Sequence, residues 1–317
     1  MLNYKNIIEA YKRIEPYIVK TPLLENNFLQ NDCGGVKVLF KCEGFQKVGA
    51  FKSRGALNFL LANKPALNQQ IIAFSSGNHA QAVAWACALL GYKKIKVFMP
   101  YNSSLVKING TKQWGAQIEL CESRSVAEDL CYEMQKKGAL LIPPYDHEDI
   151  ICGQGTVVYE SQLINGFQPD LIAVPLGGGG LMSGSYLAKP SACDLVAGEP
   201  RQANDGVRSI QSGKIFRFQE SPQTIADGAR TLSLSALTFE YAKKTTAIYD
   251  FDEMEILQAT QILMHHLKII VEPTSALAYL AAKKQLQLKK YQRVLVILSG
   301  ANVDNSTMKT VWEQNLL

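Results

Sequence analysis

Short apolar runs alternate with helical stretches along most of this chain, and that alternation restricts the fold more than any other feature. Val36–Phe40 reads as a strand, Lys52–Ala62 as a helix stopped before Pro65, Ile71–Phe74 as a strand, and Ala80–Leu90 as an almost wholly apolar helix ended by Gly91. Ile95–Met99, Gln117–Leu120, Leu171–Pro175, Asp194–Ala197 and Val294–Leu298 read as further strands. Ser104–Trp114, Ser125–Lys137, Gly155–Ile164, Leu181–Leu187, Asp252–Leu267 and Glu272–Lys284 read as helices. This order predicts an α/β protein with open, mostly parallel sheets covered by helices on both faces. Ligands of such sheets sit beyond the carboxyl ends of strands. Three polar segments begin at those ends: Ser75 after Phe74, Gly177 after Leu176, and Ser299 after Leu298.

Composition removes several function classes. With 317 residues, 47% of them hydrophobic, the chain can bury a large core in one or two domains. A formal charge of +5 without a dense basic tract argues against nucleic acid as a partner. The seven cysteines are odd in number, widely spaced and free of any CxxC, which fits reduced thiols in a cytoplasmic protein better than a disulfide framework or a zinc cluster. No apolar run reaches the length of a membrane span, and the N-terminal stretch has no secretory core.

Gly177-Gly178-Gly179-Gly180 can bring several amide N–H groups to one anion, with the start of the next helix adding favourable dipole charge. Ser183 and Ser185 are candidate extra donors. The pattern is neither a dinucleotide fingerprint nor a Walker loop, and a plain tight turn is the alternative. Lys52 follows Phe51 and opens a helix carrying Ala56, Leu57, Phe59 and Leu60. An apolar setting and a positive helix end both favour its neutral amine, the form that condenses with an aldehyde. The alternative is an ordinary solvated lysine.

An ordered set of runs spans nearly the whole chain. It comprises Phe40-Lys41-Cys42-Glu43 with Gln46, Gly49 to Gly55, Ser75-Ser76-Gly77-Asn78-His79, Gly153-Gln154-Gly155-Thr156, Gly177–Gly180, Glu199-Pro200, Thr224–Gly228, Glu272-Pro273-Thr274 and Ser299-Gly300-Ala301-Asn302. Together these resemble the fold-type II pyridoxal-phosphate enzymes of the serine/threonine dehydratase and serine racemase group. The resemblance implies a two-domain, tryptophan synthase beta-like fold. Residues 1–69 and 148–317 would form the large cofactor domain, and 70–147 a small mobile substrate domain. It implies Lys52 as the Schiff-base lysine, Phe51 beside the pyridine ring, Asn78 on the ring hydroxyl, Gly177–Gly180 on the phosphate and Ser299 facing the ring nitrogen. Ser75, Ser76, Asn78 and His79 would receive the substrate carboxylate. Ser76 occupies the position of the second proton carrier used in racemisation. The familiar Ser-Phe-Lys reads Ala50-Phe51-Lys52 here, and Ser-Gly-Gly-Asn reads Ser299-Gly300-Ala301-Asn302.

By the same resemblance, Glu199, Ala203 and Asp205 match a divalent-cation site. Two carboxylates and a carbonyl oxygen suit magnesium, or calcium or manganese, rather than zinc. Arg124 is a candidate carboxylate partner or a surface residue. His147 reads as a loop histidine with a bearing on β-carboxylated substrates, and His265 and His266 as structural. The expected activity is elimination of water from serine or threonine, giving a 2-oxo acid and ammonia. Serine racemisation is companion or rival, followed by 3-hydroxyaspartate dehydration and a non-enzymatic phosphate- or nucleotide-binding module. A homodimer and a nucleotide effector complete what the resemblance implies.

Overall fold

A computed structural model describes residues 2–164 and 166–317. Among the described residues, the strands form two sheets. β1 (Leu23–Leu24) and β2 (Lys37–Cys42) enter the larger one. β3 (Ile71–Phe74), β4 (Ile95–Pro100), β5 (Gln117–Cys121) and β6 (Leu140–Leu141) build the smaller one. β7 (Leu171–Pro175), β8 (Asp194–Pro200), β9 (Ala247–Phe251) and β10 (Arg293–Leu298) return to the larger one. The orders are β1-β2-β10-β7-β8-β9 and β5-β4-β3-β6. Every neighbouring pair is parallel except β1 with β2.

The alternation of side chains along β7 and β10 builds the two faces of the larger sheet. Leu171, Ala173, Val294 and Val296 pack against helices Glu253–Leu267 and Pro273–Leu286. Ile172, Val174, Leu295 and Ile297 face helices Tyr4–Ile14, Glu148–Leu163 and Gly180–Ala188. Each such aliphatic side chain contributes about 1.5–3 kcal/mol on burial. The register sets Leu298 opposite Cys42 and Pro175 opposite Gly198, so Ser299 and Gly177 leave the sheet at the same edge.

Several helix starts differ from the sequence reading, and three of the differences bear on the site. The helix expected at Ala80 begins at Asn78, and that expected at Ser125 begins at Arg124, so Asn78, His79 and Arg124 all lie in first turns. The helix expected at Gly155 begins at Glu148. Gly153 and Gly155 look like breakers in sequence, but a Cβ would lie 2.6 Å from Arg54 O at the first and 2.5 Å from Gly184 O at the second. These glycines let two other helices approach this one backbone to backbone. β9 and helices Tyr4–Ile14, Asp205–Ser212, Ala236–Ala242 and Asn305–Trp312 have no counterpart in the sequence reading. The seven cysteines are all buried and unpaired. No helix among the described residues is long and apolar enough to cross a membrane.

Candidate active site

A cleft of about 760 Å³, counting its solvent-open part, lies where β3, β7 and β10 end. Lys52 lines it as the first residue of helix Lys52–Asn63. Its Nζ donates to Pro144 O at 2.7 Å and stands 5.1 Å from the centre of the Phe51 ring. Burial pushes its pKa down to about 7, Arg124 adds to the shift, and Glu272 opposes it. The amine is therefore substantially neutral near pH 7 and fit to act as nucleophile or base.

The start of this helix is anchored from behind. Arg54 is fully buried, with Nε 2.7 Å from Glu43 Oε2 and Nη2 2.8 Å from Glu160 Oε1. Lys41 Nζ lies 2.7 Å from the same Glu160 oxygen. Two cations and two carboxylates thus neutralise one another where none meets water.

Gly177–Gly180 line the cleft and turn β7 into helix Gly180–Ala188. Gly179 has φ 89°, a conformation natural to glycine. A Cβ on Gly178 would fall 2.1 Å from the Tyr145 ring, and one on Gly180 2.3 Å from Gln154 Oε1. The four glycine amides find no acceptor among the described residues. Free amides at a helix start make an anion cradle. Ser183 does not add to it, because its Oγ donates to Gly179 O at 2.7 Å. Ser185 is fully buried and does not line the cleft.

Ser75, Ser76, Asn78 and His79 all line the cleft between β3 and the next helix. Ser75 Oγ accepts from Gly77 N at 3.1 Å. Asn78 is bound on both sides: Nδ2 donates to Glu272 Oε2 and Oδ1 accepts from Asn302 Nδ2, each at 2.9 Å. His79 is 2% exposed, with Nε2 2.9 Å from Ile142 O. Burial and then the Lys52 charge press its pKa down to about 3, so the ring is neutral. The His79 ring is turned to Ile142 O and away from the open cleft floor, while its backbone stays in the first turn of helix Asn78–Leu89. Arg124 lines the cleft, and its guanidinium has neither ion pair nor hydrogen bond among the described residues. Ser299 Oγ, 1% exposed, lies 2.8 Å from Glu272 Oε1 and 3.1 Å from Ser275 Oγ.

Sequence reasoning missed four cleft residues. Glu272 reads as a helix-opening residue before Pro273, yet its side chain reaches Ser299 and Asn78. Lys107, from helix Leu105–Lys112, crosses beneath Gly77 to pair with Asp227. Tyr145 covers the glycine turn and donates its hydroxyl to Ser233 O at 3.1 Å. The available signals were the family runs Glu272-Pro273-Thr274 and Thr224–Gly228, the second of which contains Asp227. Lys107 and Tyr145 depend on contacts between distant segments. His147 caps helix Glu148–Leu163, its Nδ1 accepting from Asp149 N at 3.1 Å, and packs edge-on against Phe59. His266 stacks on Phe28, with His265 edge-on to it.

Residues 14–300 match the family model described as pyridoxal-phosphate dependent enzyme. The chain is a fold-type II enzyme of the serine/threonine dehydratase and serine racemase group. It is 38% identical to a Schizosaccharomyces pombe serine racemase over 309 residues, covering 95% of this chain and 94% of that protein. It is 39% identical to a Saccharomyces cerevisiae L-threo-3-hydroxyaspartate ammonia-lyase over 318 residues, covering 97% and 95%. The structure of maize serine racemase superimposes with a TM-score of 0.90 at 34% identity, covering 99% of this chain and 98% of that one.

The cleft suits the family's cofactor. An amine held near neutrality, an anion cradle and the flat face of Phe51 share one space. Away from the cleft, Glu199 is the buried penultimate residue of β8, and its two oxygens accept from Gly206 N and Val207 N at 2.9 Å. Asp205 is fully buried, yet neither carboxylate oxygen has a partner among the described residues. Burial pushes its pKa up to about 7, and burial followed by the Asp205 charge raises that of Glu199.

Proposed function

We propose that the enzyme removes water from a 2-amino-3-hydroxy acid, releasing a 2-oxo acid and ammonia. The observation that carries this reading is Lys52: a near-neutral amine in a cleft that also holds an unsatisfied anion cradle. Pyridoxal phosphate, when bound, supplies the electron sink for charge left on Cα. The amides of Gly177–Gly180 hold its phosphate. Free N–H groups at the start of helix Asn78–Leu89, with Ser75 and Ser76, hold the substrate α-carboxylate. Lys52 Nζ takes the Cα proton. The β-hydroxyl departs with a proton as water, and the released enamine becomes an imine and hydrolyses. Ser299 would offer the ring nitrogen a hydroxyl and no charge, making the ring a weaker electron sink than a protonated one, which favours elimination. Residues 70–147 close over the substrate as the smaller, mobile part.

Racemisation shares these parts, with Ser76 Oγ as the proton carrier opposite Lys52. A β-carboxylated substrate such as 3-hydroxyaspartate is favoured by Arg124, whose unpaired guanidinium faces the cleft. The S. cerevisiae relative carries such a substrate in its name. Glu199, Asp205 and the Ala203 carbonyl hold a divalent cation, magnesium being the first choice. The supporting feature is the buried, unpartnered Asp205 carboxylate. A homodimer and a nucleotide effector belong to the same proposal.

The test is a panel of L-serine, D-serine, L-threonine and both 3-hydroxyaspartate diastereomers, with and without magnesium. Release of 2-oxo acid and enantiomer conversion are measured separately. If no hydroxy amino acid in the panel yields 2-oxo acid from protein that shows a Lys52-dependent visible band, elimination is the wrong reading.

A further inference from the structure

Glu272 joins the two side chains assigned to the polar edges of the cofactor ring. Its Oε1 is 2.8 Å from Ser299 Oγ, and its Oε2 is 2.9 Å from Asn78 Nδ2. The carboxyl is 1% exposed. Gly300 makes room for it, since a Cβ there would stand 2.9 Å from the carboxyl atoms.

A chain of hydrogen bonds fixes what each carboxyl oxygen can do. Val48 O can only accept, and it takes Asn302 Nδ2 at 2.7 Å. That sets the orientation of the Asn302 amide, whose Nδ2 also donates to Asn78 Oδ1. Asn78 must then turn its Nδ2 donor toward Glu272 Oε2. Oε2 is therefore an acceptor in every protonation state, and any proton on Glu272 belongs on Oε1, facing Ser299. Val48 holds its place in this chain at φ 55°, an uncommon conformation for a β-branched residue.

The surrounding charges leave Glu272 without a counter-ion of its own. Lys107 is the nearby cation, but Asp227 is its ion-pair partner. Asp304 adds further negative potential around Lys107, and Lys52 is drawn toward its neutral form. Burial raises the Glu272 pKa; Lys107 lowers it, Asp227 raises it, and the bonds from Asn78 and Ser299 lower it, with a net upward shift. A cofactor phosphate would add negative charge to the same cleft.

We infer that Glu272 is a positioning residue held as a neutral carboxylic acid, donating from Oε1 to Ser299 Oγ and so freeing the Ser299 hydrogen for the ring nitrogen. Ser299 has a single hydrogen to give. An ionised Glu272 would claim that hydrogen and leave only lone pairs toward the ring, which then requires a protonated pyridine. One buried proton thus decides how strong an electron sink the ring is. The inference rests on Ser299 being the partner of the ring nitrogen, as in the proposed function.

Two measurements on the full chain test it. Infrared difference spectra of the parent minus Glu272→Gln, before and after cofactor loading, should contain the carbonyl band of one protonated carboxylic acid, shifted in heavy water. Carboxylate bands in its place overturn the inference. With cofactor labelled by 15N in the ring, the parent and Glu272→Gln should both show the shift of an unprotonated pyridine, because the glutamine Nε2 donates to Ser299 as the acid does. A pyridinium shift in the parent overturns the inference, and that spectrum needs no variant to fold. Ser299→Ala should move the nitrogen signal. If it does not, the placement of Ser299 fails, while the infrared result still reports on Glu272 alone.

Discussion

Replacing Glu160 by glutamine should cost this enzyme a large part of its stability without touching the cleft. Glu160 is 1% exposed and meets Lys41 Nζ at 2.7 Å, Arg54 Nη2 at 2.8 Å, Arg54 Nη1 at 3.2 Å and Thr21 N at 3.0 Å. Glutamine keeps the shape and one acceptor oxygen but leaves the enclosed cluster with an excess positive charge. Removing one partner from a buried ion pair costs about 3–5 kcal/mol. Whole domains are stable by only about 5–15 kcal/mol. Urea unfolding at fixed cofactor concentration reads the loss as a lower midpoint. Lys41→Met in the Glu160→Gln background should recover part of it, with a coupling of about 1 kcal/mol or more, since it removes the uncompensated cation. A Glu160→Gln midpoint within about 0.5 kcal/mol of the parent would mean that the cluster is not an ionised network.

The same residue sets an acid limit on stability. Burial alone would raise the Glu160 pKa, but Arg54 and Lys41 outweigh it and hold the carboxyl below its usual range. Its stabilisation is complete above about pH 4.3, the unfolded glutamate value, and disappears as pH falls through the lower folded value. Glu160→Gln should therefore flatten the acid side of the stability profile.

In cofactor-free protein, the rate of aldehyde capture by Lys52 should rise with pH and level off above about 7, where the amine loses its proton. A single inflection near pH 10, as for a free lysine, would contradict the burial argument. Gly178→Ala places a methyl 2.1 Å from the Tyr145 ring, so it should displace Tyr145, cost about 1–3 kcal/mol and weaken cofactor binding, measured by equilibrium dialysis. Ser76→Ala should suppress enantiomer conversion, followed by chiral chromatography, far more than kcat for elimination from the L-substrate, where the lost carboxylate hydroxyl raises KM; intact racemisation would remove Ser76 from the mechanism. Magnesium should raise the thermal midpoint of the parent but not of Asp205→Asn, and an equal rise in both would place the cation elsewhere.

Much of the fold was legible because its signals are local. The apolar runs at 71–74, 171–175 and 294–298 announce buried parallel strands, and the four glycines after β7 announce a turn that admits backbone and no side chain. Helix Glu148–Leu163 was half hidden, because glycines that permit helix contact look in sequence like glycines that end a helix. Ser183 looked like a phosphate donor from its spacing alone, but its hydroxyl satisfies the carbonyl of Gly179.

The sequence by itself determined the two-sheet alternation, the lysine, the glycine turn and the family, since each is carried by residue types at short spacing. Only the tertiary structure decided which groups share protons. Glu272 reaches Asn78 across 194 positions, and Lys107 reaches Asp227 across 120. Burial and countercharge set the ionisation of such groups, and both are properties of what surrounds a side chain after the chain has folded.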